Sequence, residues 1–259
     1  MLKICSLIIV VIAFLLTSWS YQKRDWKDNS RLILYDLNPA VLISLDPVTK
    51  ELVVITLPDN LEIESVSGRG MWMLSKFGLV GDADWIRKSL SWYLGIANIR
   101  SEKSLNIWDK LRYYLIKRSA IIQTINLADT GLVDLEKTTD GIEVFRLNPR
   151  WDLKSQDWFG SSEVIRQGLV VTIVNTTSSD GLGAKATRLI ESAGIRVRML
   201  SSTTDNIPLC KIFVSDKAKK LSGFRLIQDT FGCQIIDDNT LDLDIKLELG
   251  KDTVAKLFG

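Results

Sequence analysis

The chain has 259 residues, 46% hydrophobic and 25% charged, which is enough for one or two domains with adequate cores and excludes disorder as the default. Its net charge is +2, from 33 basic and 31 acidic residues without Lys/Arg blocks or aromatic–basic interleaving, so no nucleic-acid partner is indicated. Histidine is absent, which removes the commonest general base, proton shuttle and zinc ligand and leaves catalysis to carboxylates, Lys, Arg, hydroxyls or a bound divalent cation.

Met1-Leu-Lys3 precedes an apolar run from Ile4 to Leu16, which fades through Thr17, Ser18, Trp19, Ser20 and Tyr21. With its flanks this makes about eighteen residues without a charge, the short end of what spans a bilayer core. Trp19 and Tyr21 sit where interfacial aromatics are expected, and Lys23 and Arg24 follow. No small-x-small cleavage site follows the run, and Cys5 comes too early for a lipobox. Residues 1–21 therefore read as an uncleaved signal anchor, in preference to a cleaved signal peptide or a buried core helix. Orientation draws two conflicting readings. The basic residues after the span (Lys23, Arg24, Lys27 and Arg31) favour a cytoplasmic bulk, whereas an apolar start led by the single Lys3 looks like an export signal.

Residues 22–30 are polar and charged and read as a juxtamembrane linker. Arg31 to Leu37 and Ala40 to Leu45 are strand-like around an Asn38-Pro39 turn. Asp46-Pro47-Val-Thr-Lys50 is a tight turn, and Glu51 to Leu57 returns as a strand, so a β-hairpin is predicted here. Gly68, Gly70, Gly78 and Gly81 mark loops around a tryptophan-containing segment. Asp84 can cap a helix running to Leu94, stopped by Gly95, with Trp85, Leu90 and Tyr93 as buried candidates. Ser104 can cap a second helix, Leu105 to Lys117, whose Ile107, Trp108, Leu111, Tyr114 and Leu115 fall at helical spacing and read as a core face.

Ala120 to Asn126, Thr130-Gly131 and Gly141 to Leu147 look like short strands and turns. Residues 151–168 read as an interdomain linker, because polarity rises and regular period fades there, with a short helical segment from Glu163 to Gln167 at its end. Leu169 to Asn175, the loop Thr176 to Gly183, a helix closed by Gly194 and Ile195 to Leu200 then form a β–loop–α–β unit. Cys210 to Ser215, a helix capped by Asp216 and extending through Gly223 to Phe231, Gly232 to Ile236 and Leu241 to Leu249 complete a βαββαββ order. The fold class is α/β: an N-terminal anchor, an α/β domain over residues 31–150, and a small α/β sandwich over 169–259.

The loop Asn175, Thr176, Thr177, Gly181 and Gly183 leads into a helix N-terminus, where backbone N–H groups can hold an anion. It lacks a P-loop lysine and dinucleotide glycine spacing, so structural capping by Ser178, Ser179 or Asp180 is the preferred role. Asp216, Asp237, Asp238, Asp242 and Asp244 suggest a cation site. A solvated strand face is the better reading, with Leu241, Ile245 and Leu247 turned to the core. Cys210 and Cys233 both begin predicted strands. Outside the cytoplasm they could bond, closing a loop of about two dozen residues worth about 3 kcal/mol; two buried thiols is the other reading. No catalytic residue, metal ligand or cofactor is assigned.

At Val171-Thr-Ile-Val-Asn-Thr-Thr177, Gly181-Leu182, Leu189-x-x-Ala-Gly-Ile-x-Val197 and Leu249-Gly-Lys-Asp252 the sequence resembles the C-terminal domain of LytR-CpsA-Psr cell-envelope proteins. That family has Asn-Gly-Thr where this chain has Asn175-Thr-Thr177, and commonly Ala where Gly183 stands. The segments Ile43-Ser-Leu-Asp-Pro-Val-Thr-Lys50, Val53-Val-Ile-Thr-Leu-Pro-Asp59 and Trp92-Tyr-Leu-Gly95 look like a degenerate copy of the family's catalytic domain. Active members transfer polyprenyl-linked glycopolymers to peptidoglycan, using arginines and aspartates to hold a pyrophosphate and Mg²⁺. Here the Pro-Arg-Asp motif reads Pro58-Asp59-Asn60, and Leu37-Asn-Pro-Ala40 stands in place of Arg-x-Ser-Asp-Thr. Loss of those groups removes the charge that such a transition state needs.

The resemblance implies a single-pass membrane protein of the cell envelope, with its C-terminal domains extracytoplasmic. It is expected to bind or scaffold an envelope polymer or protein rather than catalyse. The first alternative is a divergent phosphotransferase using Asp59 with groups such as Arg69 and Arg87. The second is a cytoplasm-facing, membrane-tethered regulator.

Overall fold

The computed structural model describes Trp26, residues 29–242 and residues 244–258. The signal anchor expected over residues 1–21 and most of the linker expected after it lie outside the described residues. Among the described residues, no helix is long and apolar enough to cross a membrane. The chain is a mixed α/β protein.

β1 (Leu32–Leu37), β2 (Ala40–Asp46) and β3 (Glu51–Thr56) form an antiparallel meander through the two turns expected from Asn38-Pro39 and Asp46 to Lys50. β4 (Glu62–Glu64) pairs with β5 (Met71–Met73), and helices α1 (Leu74–Val80) and α2 (Ala83–Leu94) follow. β6 (Arg100–Ser101) and β7 (Ile121–Asn126), separated by α3 (Ile107–Lys117), add parallel strands at opposite edges to give the order β6-β1-β2-β3-β7. β8 (Val133–Lys137) and β9 (Glu143–Leu147) make a two-stranded ribbon. β1 is buried on both faces of the first sheet, which is why it reads as a continuous apolar run. Ile33 and Tyr35 face the main core, while Leu32 and Leu34 face Trp26, Leu105 and Tyr113.

Two caps move from their expected positions. α2 is capped by Asp82, whose side chain accepts from the Trp85 amide, and Asp84 lies within the first turn. α3 is capped by Asn106 through the Asp109 amide, and Ser104 sits in a preceding 3₁₀ turn. Gly78, read as a loop marker, lies inside α1. The expected core face of α3 is also reversed: Asp109 and Tyr113 are buried, whereas Ile107, Leu111, Tyr114 and Leu115 are exposed. Periodicity locates an apolar stripe without saying what the stripe faces.

Residues 151–168, read as a linker, are largely helical, in α4 (Arg150–Phe159) and α5 (Ser162–Gln167). Trp151, Ser155, Trp158 and Phe159 fall at i, i+4, i+7 and i+8 and are buried, so the stretch carries a helical stripe under its polar composition. Trp151 is fully buried and its indole donates to the Leu94 carbonyl at 2.7 Å. The main core runs unbroken from Ile33 through Trp151 to Leu249.

The remaining elements are β10 (Val170–Asn175), α6 (Leu182–Ser192), β11 (Arg196–Ser202), β12 (Lys211–Val214), α7 (Ser222–Phe231), β13 (Gln234–Asp237), β14 (Asp244–Leu249) and α8 (Lys251–Phe258). Their sheet has the order β11-β10-β14-β12-β13: β10 is parallel to both neighbours, and β12 runs antiparallel to β14. β14 is shorter than expected. Asp238 accepts from the Thr240 amide and hydroxyl, and this local bonding holds Asn239–Leu241 in a 3₁₀ turn ahead of the strand. Asp216 precedes a 3₁₀ turn, and α7 begins after Leu221 without a side-chain cap.

Candidate functional site

The loop from β10 to α6 is built around Asn175. Its side-chain oxygen accepts from the Thr177 amide at 3.0 Å and hydroxyl at 2.8 Å, and its Nδ2 donates to the Ser179 carbonyl at 3.1 Å. The Thr176 hydroxyl donates to the Leu249 carbonyl at 2.8 Å, tying the loop to the end of β14. Asn175, Thr176 and Thr177 are buried. None of Ser178, Ser179 and Asp180 caps α6. Asn175 holds the preceding residues in a local turn, and the chain enters the helix through Gly181, with φ +74° and no side-chain cap bond. Glycine suits that left-handed backbone. The first two residues of α6, Leu182 and Gly183, are buried.

The Gly250-Lys-Asp252 segment closes the other side of this loop. A Cβ on Gly250 would stand 2.6 Å from the Leu209 carbonyl carbon and 2.7 Å from the Cys210 nitrogen, so two backbones meet there. The Lys251 and Asp252 amides donate to the Ile207 and Pro208 carbonyls at 2.9 and 3.1 Å, and the Asp252 carboxylate accepts from the Cys210 amide at 2.7 Å. Every residue of this motif except Lys251 is thereby given a structural task in which its side chain, or the lack of one, matters.

Cys210 and Cys233 are joined by a disulfide, with Cα atoms 4.9 Å apart. The pairing follows from topology. They precede Lys211 and Gln234, which are register partners in the adjacent parallel strands β12 and β13.

The groups offered for phosphoryl transfer do not assemble. The Leu37–Ala40 turn and Pro58 do lie at one end of the first sheet, since the Leu57 amide donates to Ala40. There, however, Asp36 accepts from the amides of Leu37 and Asn38 and holds the turn. Asp59 is exposed, Arg69 lies over the Trp85 ring at 5.4 Å, and Arg87 pairs with Asp84 at 2.6 Å. Trp85 and Arg87 are two residues apart on α2, so their side chains leave on nearly opposite sides. A cleft of about 280 Å³ between the ribbon, α2, α4 and α6 contains Glu64, Asp152, Lys185 and Arg188. Lys185 meets Glu64 at 3.3 Å, and Arg188 meets Asp152 at 2.7 Å and donates to the Tyr93 carbonyl. The two signs cancel within the cleft, leaving no positive excess for a pyrophosphate.

Of the five aspartates that suggest a cation site, four are paired with a cation, and Asp238 is bonded to Thr240. Asp216 and Asp237 meet Lys219, Asp242 meets Lys217 at 2.8 Å, and Asp244 meets Arg198 at 2.6 Å. Among the described residues, no group of three or more acidic or thiol side chains is placed to hold a metal.

One polar centre escaped the sequence reading. Arg31 and Asp46 are buried ion partners at 3.4 Å. Arg31 also donates to the Trp158 carbonyl at 2.8 Å and to the Ser44 hydroxyl at 3.2 Å. Asp46 accepts from the Ser162 amide at 2.8 Å, so a carboxylate from the β2–β3 turn caps the distant helix α5. No local signal marks Asp46 as more than a turn residue, since the helix it caps begins at Ser162, more than a hundred positions away. No protein-family model and no curated protein matches the chain.

Proposed function

We propose that the chain is a membrane-anchored, extracytoplasmic binding or scaffolding protein of the cell envelope, a non-catalytic relative of the LytR-CpsA-Psr proteins. The observation that carries this reading is the Cys210–Cys233 disulfide. Such bonds persist in oxidising compartments and are rare in the cytosol, which favours the export-signal reading of the N-terminus over the one drawn from its basic flank. The non-catalytic part is supported by the engagement of Arg87 with Asp84, of Arg188 with Asp152 and of Lys185 with Glu64. Charges already paired to neighbours are poorly placed to receive developing charge on a phosphoryl group. The partner is an envelope polymer or an envelope protein.

Membrane topology tests the reading. In wall-digested intact cells, externally added protease is expected to degrade the C-terminal domain, and non-reducing electrophoresis of the cell-derived protein is expected to show Cys210 and Cys233 oxidised. Protection from protease together with reduced thiols would overturn it and favour the cytoplasm-facing regulator. Mg²⁺-dependent glycopolymer transfer by the purified full chain would instead establish the phosphotransferase.

A further inference from the structure

α3 turns its apolar side away from the protein. At 100° per residue, Ile107, Leu111, Tyr114 and Leu115 fall within one arc of the helix. They are 71%, 51%, 51% and 58% exposed. The opposite arc is occupied: Tyr113 is buried with Trp26, Leu32 and Leu105, and Asp109 accepts from the Trp26 amide. Lys110 and Lys117 border the apolar arc on one side. Four residues beyond the helix, Ile121 and Ile122 open the edge strand β7 at 74% and 57% exposure, and their register partners Glu51 and Leu52 put only Ile122 on the sheet face that α3 covers. Exposed apolar residues scattered singly need no explanation, but a continuous apolar helix face marks a contact surface.

The path of the chain says what lies against it. The Trp26 amide donates to Asp109 at 3.2 Å, Arg112 donates to the Trp26 carbonyl at 2.9 Å, and the guanidinium covers the Trp26 ring at 4.1 Å. The N-terminal segment therefore joins the fold on the flank of α3. Only ten residues, Thr17 to Trp26, separate it from the end of the apolar run at Leu16, a reach of at most about 35 Å. Those residues carry Lys23 and Arg24 against Asp25, and α3 itself carries Lys110, Lys117 and the Trp26-bound Arg112 against the buried acid Asp109. Glu102, ahead of the helix, accepts from the Tyr114 hydroxyl at 3.1 Å. An exposed apolar stripe bordered by lysines has the pattern of a helix that lies in a membrane interface and favours anionic lipid.

We propose that α3 rests on the anionic bilayer surface beside the N-terminal anchor, with Ile107, Leu111, Tyr114 and Leu115 at the headgroup–acyl boundary and Lys110 and Lys117 against lipid phosphates. This rests on the membrane-anchor reading above, and goes beyond it by assigning a second, peripheral contact that fixes the orientation of the folded part.

The test uses the full chain with Cys5→Ser, carrying an NBD fluorophore at Leu111→Cys, at Leu115→Cys or, as reference, at Leu153→Cys, which is 81% exposed on α4. The protein is reconstituted in vesicles of equimolar phosphatidylcholine and phosphatidylglycerol, with a nitroxide attached high on the acyl chain. The expected result is blue-shifted emission and several-fold stronger quenching at positions 111 and 115 than at position 153. Equal, water-like emission at all three positions while the protein floats with the vesicles would overturn the surface contact and leave the anchor standing. Failure to float would remove the anchor and this proposal together. Shielding of positions 111 and 115 without lipid, accompanied by dimers in sedimentation, would overturn it in favour of a second copy of the chain.

Discussion

Asp46 shows how one side chain can serve two distant elements. Burial by itself would raise its carboxyl pKa. Amide donations from Ser162 and Val48, with the Arg31 guanidinium, outweigh that and hold it below the usual aspartate range. A carboxyl whose pKa is lowered on folding contributes stability in full above its unfolded value of about 3.9, and loses it as pH falls through the folded value. Asp46→Asn leaves the buried Arg31 with only the exposed Glu51, 3.6 Å away, as counter-ion and is expected to cost about 3 kcal/mol at neutral pH. Urea unfolding in detergent at neutral and acid pH checks both points: the gap between wild type and variant should narrow below about pH 4. A gap of constant size would show that the carboxylate's charge is not what stabilises the site.

The two glycines of the candidate loop separate by the same kind of reasoning. Gly181 has φ +74°, so Gly181→Ala forces a side chain into the left-handed region and is expected to cost about 1–2 kcal/mol. Gly183 is helical, and a Cβ there would meet the Leu200 Cδ1 at 2.6 Å, the far end of a side chain that is 45% exposed and can swing aside. Alanine also favours helix over glycine by about 1 kcal/mol. Gly183→Ala should therefore be neutral or mildly stabilising by chemical denaturation, although the neighbouring position is not. A loss from Gly183→Ala as large as that from Gly181→Ala would mean that Leu200 is not free to move.

Among elements, legibility in the sequence followed the range of the interactions involved. The meander β1–β3 and the β10–α6–β11 unit were readable because their turns and periods are local, and Gly95 and Gly194 end helices where expected. α4 was hidden because Asp152, Lys154, Gln156 and Asp157 raise its polarity, while its burial depends on a groove formed by other elements. α3 was found but faced the wrong way. Its inner face is set by Trp26 arriving from the N-terminus and by Asn106 and Asp109 bonding to each other, which no periodic pattern encodes. The β10–α6 loop lies between the strand and the helix that the periods mark, yet the turn inside it depends on the side-chain direction of Asn175, which spacing alone does not give. Gly250 belongs to the same class: its reason is the backbone at Leu209, forty-one positions earlier. Gly250→Ala is thus expected to be far more damaging than Gly183→Ala.

At the scale of the molecule, the two sheets share one buried core, and Trp151 stands where they meet. Its ring approaches Trp158 and Phe159 with centroids 6.0 Å away in each case, its indole N–H holds the end of α2 at Leu94, and its own helix contacts α6 of the C-terminal unit. Truncating a buried tryptophan removes its packing and leaves a cavity, and here it also leaves the Leu94 carbonyl without the indole donor. Trp151→Ala is expected to cost about 3–5 kcal/mol. Because that residue belongs to neither sheet alone, the loss should appear in both. Calorimetry of the wild-type full chain should give one transition for the folded part, and hydrogen exchange in Trp151→Ala should rise in β1–β3 and in β10–β14 together. Two resolved wild-type transitions, with only one shifted by the substitution, would show that the sheets fold independently. In that case residues 151–168 would act as the linker that their composition suggests, and the disulfide of the C-terminal sheet would stabilise that sheet alone.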